Sequence, residues 1–454
     1  MSVVLRVPAA PRGRLPLLAG SAALAGAAVP VLGPERVLLL GVAGALALFL
    51  TYRPHWGVLA LSALWIFQLN PVRIGPLDSP ELLLGVLLVP LVVRVVRDRS
   101  VRILEVPQFL ILLAIGLVLL MATAWAELMY RPPDVESLTR TSAELRAFRT
   151  GLVYVVLFLY FIRTPRHVRL VMGFLAVVIA VAVLDAFDII GPAPSGERLH
   201  ASQGFAGNSN RLALLAVWGT AIFWMLREHG AGRWWRRLTV IPLLALPVTV
   251  LMTASRNGLL QLLLLAGLIL MGQRGWSPGQ RARSVALIAT AGILAVALAP
   301  SAVILRATSF EATARAPGGE SLRHRSEGVA AGIEMALEHP VFGVGPGNFR
   351  RHTGTDLGPH NAYLWALTAG GPLLLLLYVL LFWSSLRAVR AAERRGPPEL
   401  LWASRATRCN LIVFLAFSLF ADTWLQHPTF LLVALAAALG RLARPAPHPA
   451  LAVR

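Results

Sequence analysis

Fourteen apolar runs, most of them near the length that carries a helix across a bilayer, constrain this chain more than any other feature. Hydrocarbon offers no partner for backbone N–H and C=O groups, so a chain that repeatedly enters it must close those bonds within each segment as helix. The runs lie near 15–33, 37–52, 57–72, 79–96, 107–126, 147–163, 168–190, 209–226, 238–254, 256–272, 284–305, 362–386, 407–422 and 428–443. Those at 37–52, 57–72, 407–422 and 428–443 are short, so the expectation is an all-α, polytopic integral membrane bundle of about 12–14 helices, a single domain over 1–454. Composition agrees, with 57% hydrophobic and 14% charged residues and a mean hydropathy of +0.68, outside the range of soluble domains.

The net charge of +20 comes from 42 basic residues, every one an arginine. A nucleic-acid binder would gather such charge on one soluble module, whereas here it falls in short clusters between apolar runs, so no nucleic-acid partner is expected. With the N-terminus inside, 27 of the 42 arginines fall in segments on the cytoplasmic side, the positive-inside pattern. The other 15 lie mostly in the two longest loops, 127–146 and 306–361, where that rule is weak. Both loops, the segment 191–208 and the turn at Ser255-Arg256 then face outward, so the polar chemistry sits on one side. Arg6, Arg12 and Arg14 ahead of Ala25-Gly26-Ala27 allow a signal-peptide reading, but a further apolar run follows at once and a retained first helix fits equally well. The single cysteine, Cys409, excludes a disulfide framework and a thiolate metal site.

The longest polar interruption, 306–361, is expected to act as a lid inserted between two spans. Within it Leu322, Val329, Ile333 and Ala336 recur on one helical face, with Glu320, Glu327, Glu334 and Glu338 opposite and Arg325 beside the apolar stripe. Pro340 ends that helix, and Gly343, Gly345 and Gly347 permit a tight backbone path close to some neighbour.

Three outward positions invite chemistry. In Gly207-Asn208-Ser209-Asn210-Arg211, Asn208 or Ser209 can cap the following helix, while Arg211 opposes its dipole, which suggests an anionic partner or a snorkelling anchor. Arg256, in Ser255-Arg256-Asn257-Gly258, sits so near hydrocarbon that it needs a partner, with Asp185 and Asp188 as candidates for a structural ion pair. His360-Asn361 stands where the chain re-enters the membrane, and histidine suits a general base, although His324, His339 and His352 share the loop. No His-x-x-x-His, cysteine pair or Asp-x-Asp argues for a metal, and no Gly-x-x-x-x-Gly-Lys loop argues for ATP.

Together with Arg325 and His339-Pro340-Val341-Phe342-Gly343-Val344-Gly345-Pro346-Gly347-Asn348-Phe349, these three pieces, in order over about 200–364, resemble the O-antigen ligase and polymerase superfamily of bacterial membrane glycosyltransferases. One departure is Val329, where the family often has tryptophan. The resemblance implies transfer of a glycan from undecaprenyl diphosphate to an acceptor on the periplasmic face of the bacterial inner membrane, inverting, without nucleotide, metal or other cofactor. It implies diphosphate binding by Arg211, Arg256 and Arg325, catalysis by His360, and support from Asn208, Asn210 and Asn361. Within the family the ligase is favoured, with lipid A-core oligosaccharide as acceptor and the surrounding membrane lipids as further contacts. The alternatives are a polymerase extending the lipid-linked glycan and, in a different class, a non-catalytic carrier or transporter of polyprenyl-linked glycan.

Overall fold

The computed structural model describes residues 44–45, 48–67, 79–97, 103–129, 135–187, 199–200, 205–230, 232–272, 277–299, 301, 304, 320–353 and 358–444. The expected run 15–33 and most of 37–52 lie outside them. The chain divides into Met1–Pro54 and His55–Arg454, and the second unit holds every residue discussed below.

Among the described residues there are fifteen helices and no strand. In order they are α1 Pro54–Phe67, α2 Ser79–Arg97, α3 Pro107–Met129, α4 Val135–Phe161, α5 Pro165–Ala186, α6 Ser209–His229, α7 Arg233–Leu238 and α8 Val240–Met252. There follow α9 Arg256–Met271, α10 Pro278–Leu298, α11 Glu320–Glu338, α12 Phe349–Thr353, α13 Ala362–Arg395, α14 Leu401–Ser418 and α15 His427–Leu442. Seven are long and apolar enough to cross a bilayer by themselves, beginning at Ser79, Pro107, Pro165, Ser209, Pro278, Ala362 and Pro398, and shorter apolar helices pack among them. The chain is a multi-pass membrane helix bundle.

Burial separates centre from periphery. Helix α6 has 78% of its span inside the protein and α10 only 17%. Helix α6 packs on α14, α8, α5 and α9, while α13 packs on α15, α3 and α14. In α15 every residue from Pro428 to Leu439 is buried; a 16-residue helix enclosed by protein need not match the bilayer thickness.

Two helices run further than hydropathy predicts. The 127–146 stretch holds the last residues of α3 and, from Val135, the polar first half of α4, whose Ala, Leu, Glu and Arg residues are good helix formers whatever the solvent. Helix α13 reaches Arg395 but is broken at Gly370 and Gly371, the latter at φ 73°. A hydrogen bond explains how the break is tolerated. The Thr368 carbonyl would ordinarily receive the N–H of residue 372, but that is Pro372, which has none. It accepts instead from the Val344 N–H at 2.8 Å.

The glycine-rich stretch therefore approaches the protein itself. Gly343 and Gly347 both have positive φ; a methyl group on Gly343 would strike the Thr368 carbonyl and one on Gly347 the backbone of Arg140 and Thr141. Thr141 Oγ1 donates to the Pro346 carbonyl at 2.8 Å, and Asn348 Nδ2 to that of Val344 at 2.9 Å.

Helix α11 forms where expected, but a different face turns inward. Ile333 and Leu337 are exposed, whereas Gly328, Gly332 and Met335 are buried, with Arg325 half-buried on the same side. Small residues win this face because the docking is close: a methyl group on Gly328 would come within 2.5 Å of the Gly358 carbonyl oxygen, and one on Gly332 within 2.6 Å of the Leu364 side chain. Glu327, Glu334 and Glu338 are exposed, as predicted.

Candidate active site at one end of the bundle

The starts of α6 and α9 are pinned to each other. Asn208 caps α6, its Oδ1 accepting from the Asn210 N–H at 2.9 Å. Ser255 caps α9, its Oγ accepting from the Gly258 N–H at 3.0 Å while donating to Asn210 Oδ1 at 2.8 Å. The reversal from α8 into α9 turns through Ala254 at φ 48°, left-handed backbone that the buried surroundings hold in place. Gly258 lets α9 approach Ala213 of α6. Arg211 and Arg256 thus stand in the first turns of two helices that begin side by side.

The start of α13 joins them. Asn361 caps it, Oδ1 accepting from the N–H groups of Tyr363 at 2.9 Å and Leu364 at 3.0 Å. Tyr363 donates its hydroxyl to the Leu415 carbonyl at 3.0 Å, tying α13 to α14. His360, just before the cap, has φ 46°, and its Nδ1 lies 3.1 Å from Asp422 Oδ2. The other carboxylate oxygen, Oδ1, accepts from Trp365 Nε1 at 2.8 Å. The turn holding Asp422 is braced by Thr423, whose Oγ1 meets Ser418 Oγ at 2.7 Å and whose carbonyl accepts from Thr429 Oγ1 at 3.0 Å.

Asp422 is the electrostatic centre of the group. Both Arg211 and Arg325 lie within its field, and Arg325 also feels Arg256. Burial holds the Arg325 guanidinium below the ordinary arginine value; Asp422 opposes that shift and the like charge of Arg256 adds to it. A cation held under such stress stabilises an anion placed beside it. Of the sequence-selected residues, Arg211, Arg325 and His360 gather around Asp422, Arg256 joins through Arg325, and Asn208, Asn210 and Asn361 hold the helix starts. Asp188 lies outside the described residues. Of the remaining loop histidines, His339 and His352 pack edge to face at 5.6 Å.

Arg211 and Asp422 also line a cavity of about 330 Å3, shared with Glu144, Trp365, Trp424 and Gln426. Glu144 stands in the polar half of α4, ahead of its apolar segment. Burial pushes its carboxyl up to about 7, against the lowering effect of the Gly347 backbone N–H and the Trp424 indole. Its Oε2 and the Gln426 Oε1 are buried there without hydrogen-bond partners among the described residues.

Glu144 predicts a pH dependence of stability. A carboxyl whose folded pKa is raised takes up a proton on folding between its ordinary 4.5 and about 7. Stability therefore falls as pH rises through that window and then levels off. The full shift corresponds to at most about 3 kcal/mol. Thermal unfolding in detergent between pH 4.5 and 8 is expected to show this loss in the wild type and a flatter profile in Glu144→Gln; equal slopes would remove the assignment.

Sequence reasoning passed over Asp422, Trp365, Glu144 and Trp424. Arginine parity did carry a signal, since it puts the turn between the runs 407–422 and 428–443 on the same side as His360, and Asp422 is the acid at its edge. Glu144 could not be found that way, because it depends on how α4 meets the glycine-rich stretch.

No curated protein matches the chain. Residues 240–379, which contain Arg256, Arg325 and His360 but neither Arg211 nor Asp422, match the family model described as O-antigen ligase. On that segment, which is less than half of the chain, this multi-pass membrane protein is similar to the O-antigen ligase family, in line with the resemblance read from the sequence.

Proposed function

We propose that the protein transfers a glycan from undecaprenyl diphosphate to a hydroxyl of lipid A-core oligosaccharide, with inversion, at the periplasmic face of the inner membrane. The family match supports glycosyl transfer of the ligase or polymerase kind in general. The observation that carries the finer reading is the pairing of His360 with Asp422 inside the field of half-buried arginines.

With Nδ1–H donated to Asp422, the His360 Nε2 carries the free lone pair and takes the proton from the acceptor hydroxyl. The acceptor oxygen forms its bond to the anomeric carbon as the bond from that carbon to the diphosphate oxygen breaks. The diphosphate departs with the electron pair, and Arg211, Arg256 and Arg325 stabilise the charge that develops on it. Trp424 and Trp365 offer apolar faces for a sugar ring, and Glu144 and Gln426 offer partners for its hydroxyls. The outward orientation is supported by the opposite end of the bundle. There Arg94 donates to the Tyr160 carbonyl at 3.1 Å, Arg441 to that of Ile162 at 2.9 Å, and Arg408 pairs with Glu393 at 2.9 Å.

The test is purified protein with an undecaprenyl diphosphate glycan, offered lipid A-core or a second lipid-linked glycan, with and without EDTA. Glycan is expected on lipid A-core in both conditions. Product only on the second lipid-linked glycan would make the protein a polymerase, binding without product would make it a carrier, and loss of product in EDTA would overturn the metal-independent mechanism.

A further inference from the structure

A second cavity lies at the opposite end of the bundle from His360. It holds about 590 Å3 between the start of α3, the second half of α13 and the end of α15. Its walls change character along their length. Ile111, Leu380 and Trp383 form an apolar part, with Leu380 and Trp383 exposed. Arg387, Arg395, Arg441 and Arg444 form the other part. On α13 the residues 380, 383, 384, 387, 388, 391 and 395 are spaced three or four apart, so one helical face runs from hydrocarbon-like to cationic across the groove.

Among the described residues no carboxylate forms an ion pair with this cluster. Arg441 and Arg444 are held by carbonyl oxygens, those of Leu159, Ile162 and Glu105. Arg387 and Arg395 are exposed and make no ion pair among the described residues. The helix dipole accounts for a cation at Arg395, in the last turn of α13, but Arg387 lies two turns earlier, beyond its reach.

We propose that this groove binds an anionic phospholipid of the surrounding leaflet, its phosphate on the four guanidinium groups and its acyl chains along Ile111, Leu380 and Trp383. Guanidinium matches phosphate with paired, charge-assisted hydrogen bonds, and basic pockets between membrane helices on the positive-inside face select anionic headgroups. An exposed tryptophan at the boundary between cations and apolar wall suits the interfacial zone. A free anion would use the arginines but leave the apolar wall unexplained. The site is separate from the glycosyl-transfer reading and stands or falls without it.

The experiment is native mass spectrometry of the full-length protein released from nanodiscs of phosphatidylglycerol, cardiolipin or phosphatidylcholine. It compares wild type, the double variant Arg387→Ala/Arg395→Ala, and Arg387→Lys, with thermal unfolding as a check on folding. Retained phosphatidylglycerol or cardiolipin is expected in the wild type, roughly tenfold or more reduced in the double variant and largely kept in Arg387→Lys, with inorganic phosphate failing to displace it. Equal retention of phosphatidylcholine, no difference between wild type and the double variant, or no retained lipid would each overturn the proposal. Displacement by inorganic phosphate would mark a simple anion site instead.

Discussion

Replacing His360 with alanine is expected to abolish glycan transfer, by about 10²–10⁴-fold, while the lipid-linked donor still binds. The separation follows from the geometry. His360 is tied through Nδ1 to Asp422, which leaves Nε2 for the acceptor hydroxyl, whereas Arg211 and Arg325 lie in the field of Asp422 itself. Asp422→Asn tests the same arrangement from the other side. An amide presents either an acceptor or a donor to Nδ1, so the histidine loses its fixed tautomer while the bond from Trp365 can persist. Turnover is expected to fall with little change in donor binding. The pair is read by single-turnover transfer beside a donor-binding isotherm; a His360→Ala protein that transfers normally, or that no longer binds donor, would reverse the assignment.

The arginines are expected to give the complementary result. Arg256→Ala should weaken donor binding, and Arg211→Ala and Arg325→Ala should cost roughly 10²–10³-fold in transfer by removing charge that faces the departing diphosphate. Lysine should restore only part of this at each position, since it keeps the charge but loses the planar fork. Because Arg325 feels both Asp422 and Arg256, the double variant Arg256→Ala/Arg325→Ala should cost less than the two single losses combined. Strict additivity would place the two guanidinium groups on separate ligand atoms with no shared field. Unchanged kinetics in all three single variants would leave the arginines as membrane anchors.

Among the described residues the apolar runs from 57 onward coincide with helices, because a segment in hydrocarbon has only one way to satisfy its backbone. Hydropathy failed where a helix leaves the apolar layer and continues. The polar half of α4 looked like loop, yet it seats Thr141 under Pro346 and carries Glu144 into the cavity. The face of α11 was misjudged for a related reason. Amphipathic patterning assumes that large side chains seek the interior, but contact here is so close that glycines do, and Ile333 and Leu337 are left outside. Arg211 and Arg256 stood out in the sequence as costly cations at a membrane boundary, whereas His360 was set apart from His324, His339 and His352 only by the resemblance. Asp422 escaped because an acid at the end of a short run looks like an ordinary terminus until His360 and Trp365 are seen to close on its two oxygens.

The break in α13 sets which parts of this chain can be replaced separately. The Val344 N–H completes a helix whose own donor is missing at Pro372, and Val341 lies so close to Gly371 that no side chain fits between them. Stretch 339–348 and the Gly370-Gly371-Pro372 step are therefore one structural unit. A chimera that grafts a different outer loop onto this chain must carry a matching step with it, since neither half has a complete set of hydrogen bonds alone.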